Sequence, residues 1–257
     1  METIYSYFSI FGTAEGWFYL VVLSLLEIVL GIDNIIFISI ITDKLPNESK
    51  RKARNLGLFL ALIVRLILLS FVALIMKMTE PLFTLFSFSL TGQSLVLLLG
   101  GLFLIYKSTT EMHGSIVGHD EIKAKQKNKL SSIIFQIVLI DIVFSFDSII
   151  TAIGMTNEIG HNDPTKHPMV IIFGAVIISM IIMLLFAKPI SDFINQRPTI
   201  KMIALSFLVT IGVILVAESF GQHLPKGYIY FAMVYALIVE FLNIRMRKNK
   251  GLKETPK

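Results

Sequence analysis

The chain has no cysteine among its 257 residues. Disulfides, thiolate metal sites and a cysteine nucleophile are therefore excluded. Any metal would be held by oxygen and nitrogen, donors that suit Mg²⁺, Ca²⁺ or Mn²⁺ better than softer ions. Charge is scarce as well: 16% of residues are charged and 54% are hydrophobic, too apolar a balance for an ordinary soluble domain of this length. A cleavable leader is not expected. Met1 to Gly16 contains no Lys or Arg and no small-residue cleavage site, so the first apolar run is expected to act as its own insertion signal. No phosphate-binding loop is present, which argues against direct coupling to ATP.

What the chain does have is apolar length. Runs of about 20 residues, enough to cross a hydrocarbon core, fall at 17–41, 56–77, 93–110, 131–153, 169–187, 201–217 and 226–244. The predicted fold class is an all-α polytopic membrane helix bundle with about seven transmembrane helices. Pro168 and Pro225 sit where first helical turns begin, and Pro189 follows the fifth run. Pro81 to Leu90 is apolar but too short to cross, and is expected to lie at the interface or to form a short half-helix.

The net charge of +5 could suggest nucleic acid, but its distribution points to membrane topology. Nineteen Lys and Arg residues fall after the first, third, fifth and seventh runs, against Lys77, Lys166 and Lys226 on the other side. By the positive-inside rule the N-terminus is outside and the C-terminus cytoplasmic. Nucleic acid is not an expected partner; the lipid bilayer is.

Two apolar runs carry the same acidic pattern. Glu27-Ile28-Val29-Leu30-Gly31-Ile32-Asp33-Asn34 in the first returns as Asp141-Ile142-Val143-Phe144-Ser145-Phe146-Asp147-Ser148 in the fourth. An ionisable group at the centre of a spanning helix costs about 2.5–3.5 kcal/mol on insertion scales, so four carboxylates require neutralisation by a metal ion or by protons. The copies lie three spans apart, in the first and fourth runs, which makes the two helices antiparallel and predicts an inverted 3+3 repeat with a further C-terminal helix. Residues 1–117 would form the first three-helix repeat, 118–130 a lysine-rich cytoplasmic linker, 131–224 the second repeat, and 225–257 the seventh helix and basic tail. Gly101 to Lys107 and Gly212 to Glu218 also look alike.

On a continuous helix Glu27 and Asn34 share a face, as do Asp141 and Ser148, while Asp33 and Asp147 fall about a third of a turn away. Convergence of all six predicts local unwinding near Gly31 and its counterpart Ser145, adding backbone carbonyls to an all-oxygen site. Such a site suits Mn²⁺ or Mg²⁺. The plainer alternative is helix packing, with Arg65 in the second run as a buried partner. Two identically spaced pairs favour a site, and Arg65 reads first as a structural counter-ion. Glu240 and Asn243 share a face near the cytoplasmic end of the seventh run and are candidates for a gate or for interfacial packing. The five histidines read as solvated loop residues.

These residues resemble the TerC family of integral membrane proteins. The similarity rests on Glu27-x5-Asp33-Asn34 and Asp141-x5-Asp147-Ser148, on Lys44-Leu45-Pro46 with Arg51, Ala53-Arg54 and Gly57-Leu58, and on Gly100-Gly101-Leu102-Phe103-Leu104-Ile105-Tyr106-Lys107. It extends to Pro225-Lys226-Gly227-Tyr228-Ile229-Tyr230-Phe231-Ala232-Met233 and Glu240-x-Leu242-Asn243. The resemblance implies a multi-pass manganese exporter of the bacterial cell membrane. Members are also linked to metal supply for secreted enzymes. By position, Glu27, Asp33, Asn34, Asp141, Asp147 and Ser148 would line the metal site. Gly31 departs from the family, where many relatives carry Ser, and this shifts any such contact to the backbone.

The leading expectation is a secondary transporter, not an enzyme, that exports a divalent cation, Mn²⁺ first among them. Mn²⁺ would be its substrate, with no permanently bound cofactor. Carboxylates freed of metal at low dielectric would take up protons, making proton exchange the natural return step. Two alternatives stand beside it. An intramembrane aspartyl protease would use Asp33 and Asp147, though Gly31-Ile32-Asp33 stands where those enzymes show Gly-x-Gly-Asp. A membrane scaffold assisting metallation of secreted proteins would need an extended partner surface. A homodimer or a contact with the secretion machinery is compatible with either transport or scaffolding.

Overall fold

The computed structural model describes residues 9–85, 88–117, 130–162, 168–222, 225 and 227–251. Its framework is seven long helices, each apolar and long enough to cross a membrane. They are α1 (Ala14–Thr42), α2 (Asn47–Ser70), α3 (Gly92–Val117), α4 (Leu130–Asn162), α5 (Pro168–Asn195), α6 (Pro198–Ser219) and α7 (Gly227–Gly251). The linker read at 118–130 lies, apart from Leu130, outside the described residues.

Local chemistry sets the helix ends. Thr13 caps α1 in an extended conformation, its Oγ1 accepting the Gly16 N–H at 3.1 Å. Pro198 opens α6 and Pro168 opens α5, where the missing N–H removes nothing from the helix. Most helices outrun their apolar segments. At about 1.5 Å per residue, the 29 residues of α1 reach about 43 Å, beyond the ~30 Å of a bilayer core. The apolar run marks only the part that crosses.

Two sequence expectations differ from the fold. Pro189 does not end α5, which continues to Asn195. Beyond the proline, burial of Ser191 and Ile194 and a Lys188–Asp192 ion pair hold the last turns in place. The apolar stretch after α2 is not a half-helix. A short helix, Val72–Lys77, leads into an antiparallel hairpin of β1 (Pro81–Leu85) and β2 (Phe88–Thr91), with Phe83 opposite Leu90 and Leu85 opposite Phe88. Alternation of Phe and Leu with Ser and Thr is the period of a strand.

The most extensive helix contacts are α1 with α5, α4 with α2, and α3 with α6; α1 and α4 also touch. At the α3–α6 crossing, a Cβ on Gly101 would lie 2.7 Å from the Gly212 carbonyl oxygen, and one on Gly212 would lie 2.9 Å from that of Gly101. Only glycine allows this approach. Large apolar side chains such as Trp17, Phe135, Leu185 and Phe231 face outward, as expected where lipid is the solvent.

Two apolar cores lie along the bundle. One gathers Ile35 to Ile41 of α1 with Ile133 to Val143 of α4, and the other joins Leu20 and Leu23 to Ile149, Ala152 and Ile171. Between them runs a belt of buried polar side chains, and this belt holds the candidate site.

Candidate functional site

The belt begins with Arg65, which projects from the apolar interior of α2 and is 2% exposed. A guanidinium offers five donors in a rigid fork, and three of its nitrogens are engaged. Nη1 donates to Glu27 Oε2 at 2.7 Å, Nη2 to Asp141 Oδ1 at 3.0 Å, and Nε to Ser145 Oγ at 2.8 Å. The first acids of both repeated motifs are therefore joined through one cation. Asn34 Nδ2 adds a 3.0 Å bond to Asp141 Oδ1, and Ser145 Oγ donates to Asp141 Oδ2 at 3.1 Å. Buried charges persist where they are both paired and hydrogen-bonded, and this cluster meets both conditions.

The second acids fall elsewhere. Asp33 and Asp147 line a small cavity of about 30 Å³, walled by Leu30, Phe144, Ile211, Ile214, Leu215 and Ile229 and completed by Tyr230. The Tyr230 hydroxyl donates to Asp33 Oδ2 at 3.4 Å. Ser148 is buried and bonds to the Ser145 carbonyl at 3.2 Å. Of the six residues read as metal-lining, the belt thus gathers Glu27, Asn34 and Asp141 around Arg65, with Asp33 and Asp147 in the adjoining cavity.

Neither motif helix unwinds; α1 runs unbroken through Gly31 and α4 through Ser145. Asp33 and Asp147 consequently keep the angular offset that an unbroken helix imposes on them. The space at Gly31 is taken from across the interface. A Cβ there would lie 2.2 Å from Met183 Sδ of α5, so a methionine thioether occupies the volume that a serine side chain would need.

The chemistry of the donors fits a hard cation. All are oxygens, and Glu27 Oε1 and Asn34 Oδ1 are buried acceptors with no hydrogen-bond partner among the described residues. Among those residues no three His, Asp or Glu side chains come together closely enough to hold a metal by themselves. Neutral oxygens or a closing movement would have to complete a coordination shell. Glu240 lies apart from the acids. It accepts from Thr199 Oγ1 of α6 and from Asn243 Nδ2 at 3.5 Å, and so ties α7 to α6.

Sequence reasoning did not assign Tyr230 or Met183. Tyr230 stood within the Pro225–Met233 stretch, and nothing local connects it to an acid 197 positions away. Met183 is one of eleven methionines, with no signal to separate it from packing.

Residues 12–253 match the profile described as the Integral membrane protein TerC family. A UPF0053 protein from Haemophilus influenzae is 48% identical over 236 residues, covering 91% of this chain and 95% of the relative. The UPF0053 inner membrane protein YgdQ of Escherichia coli K12 is 47% identical over 237 residues, with the same coverage. The longer YoaE of that organism, also named a UPF0053 inner membrane protein, is 46% identical over 235 residues, which cover 43% of its length. No solved structure matches.

Proposed function

Because the chain belongs to the TerC family of integral membrane proteins, we propose that it is a secondary transporter exporting a divalent cation, with Mn²⁺ the first candidate, through the polar belt. It is a multi-pass protein of the cytoplasmic membrane. One observation carries the proposal: the two acid motifs, 114 positions apart in sequence, meet at a buried polar layer between two apolar cores. A purely structural role calls for one ion pair. Here two buried acids share one guanidinium and two more line the adjoining cavity, a concentration of acids that supports a divalent cation or protons as the ligand.

Alternating access is supported by the pattern of helix contacts. Exchanging α1 with α4, α2 with α5 and α3 with α6 turns the α1–α5 contact into α4–α2 and leaves α3–α6 and α1–α4 unchanged. An inverted repeat has this property. In this reading the N-terminus is outside and the basic C-terminal tail cytoplasmic. Glu27, Asp33, Asp141 and Asp147 supply charge, Asn34 and Ser148 neutral oxygens, and protons replace the cation on the return step.

The protease alternative requires Asp33 and Asp147 to share a proton as a catalytic dyad. Their common cavity is compatible with it, but Gly31-Ile32-Asp33 stands in place of the Gly-x-Gly-Asp pattern and the first acids of both motifs would be left without a role. The scaffold reading can coexist with transport. Asp33→Asn and Asp147→Asn proteins are expected to insert and fold normally yet carry no ⁵⁴Mn²⁺ in proteoliposomes. Wild-type flux from either well-folded variant would remove these acids from the site.

A further inference from the structure

The seventh helix belongs to neither repeat, yet it reaches the acids. Among the described residues lining the cavity, Asp33, Asp147 and Tyr230 are the only ones with polar side chains. We infer that Tyr230 supplies a further neutral oxygen to the cation site, beside Asn34 and Ser148, which makes α7 one of its walls. This rests on the cation-transport reading above.

Hard divalent cations take about six or more oxygen ligands, and the aliphatic and aromatic walls offer none. A cation between Asp33 and Asp147 therefore meets one further side-chain oxygen in the cavity, the phenol. Its hydroxyl stands 3.4 Å from Asp33 Oδ2, beyond the usual O–H···O range. The phenol is placed beside the carboxylate without being locked onto it. Rotating the O–H away exposes a lone pair to an incoming ion, and no proton need leave.

Full-length wild type and Tyr230→Phe should be compared for ⁵⁴Mn²⁺ flux in proteoliposomes and for equilibrium Mn²⁺ binding in detergent. The variant removes one oxygen and keeps the ring. Its KM and its dissociation constant for Mn²⁺ should rise about tenfold, the scale of one lost polar contact, with maximal rate nearly unchanged. A purely packing role would lower folded yield or maximal rate and leave the Mn²⁺ dissociation constant of the folded protein unchanged, which would overturn the inference. So would wild-type KM and dissociation constant in the variant. Absence of both flux and binding in the wild type would instead overturn the transport reading itself.

Discussion

Arg65 governs the electrostatics of the belt, and its removal should be felt as stability before anything else. Arg65→Met strands Glu27 and Asp141, both nearly inaccessible, without their shared cation. Breaking a buried ion pair on one side costs about 3–5 kcal/mol, so the variant should melt well below wild type in detergent. Neutralising the stranded partners as well, in Arg65→Met/Glu27→Gln/Asp141→Asn, should restore much of that loss. Unchanged melting of the single variant would mean that the three groups are not coupled. Gly31→Ser makes a second prediction at this scale. The serine Cβ would meet the Met183 sulfur, so that thioether must shift; Met183→Ala alone should cost about 2–5 kcal/mol, and Gly31→Ser should cost less in that background than in wild type. Equal cost of Gly31→Ser in both backgrounds would mean that Met183 does not hold that space. The acids themselves were legible because charge inside an apolar run stands out. Their division into an Arg65-bound set and a cavity-lining set was not, since it depends on how α2 and α7 are placed against α1 and α4.

At the scale of elements, the apolar runs located all seven helices, since the bilayer imposes a length that composition alone reveals. The ends were less legible, because helices continue past the hydrocarbon wherever packing or ion pairs support them, as beyond Pro189. The hairpin after α2 was missed because ten apolar residues carry no length signal, although their alternation carried a period. The resemblance between Gly101–Lys107 and Gly212–Glu218 has a physical counterpart: the two leading glycines touch backbone to backbone where α3 crosses α6. Gly212→Val should therefore push these helices apart, lowering folded yield and melting temperature by the 1–3 kcal/mol or so typical of overpacking. Gly154→Val is the control, since nothing lies within 4 Å of the Cβ it would add. Equal stability of the two variants would show that the crossing tolerates separation.

For the whole molecule, absence of cysteine provides a clean background for testing orientation. Single cysteines at Glu15 and Arg51, both exposed, should be labelled by a membrane-impermeant maleimide from opposite sides. Glu15→Cys should react from outside and Arg51→Cys only after the membrane is opened. Labelling of both from one side would break the assigned topology and the inverted repeat with it. The central claim is that the polar belt carries a divalent cation across the membrane, balanced by protons on return. Its most direct test is ⁵⁴Mn²⁺ flux in proteoliposomes of the wild-type protein with internal pH followed in the same vesicles. Saturable flux accompanied by opposing proton movement, both lost in Asp147→Asn, is the predicted result. A wild-type protein that moves neither Mn²⁺, Ca²⁺ nor Mg²⁺ would contradict the account and return the four acids to catalysis or structure.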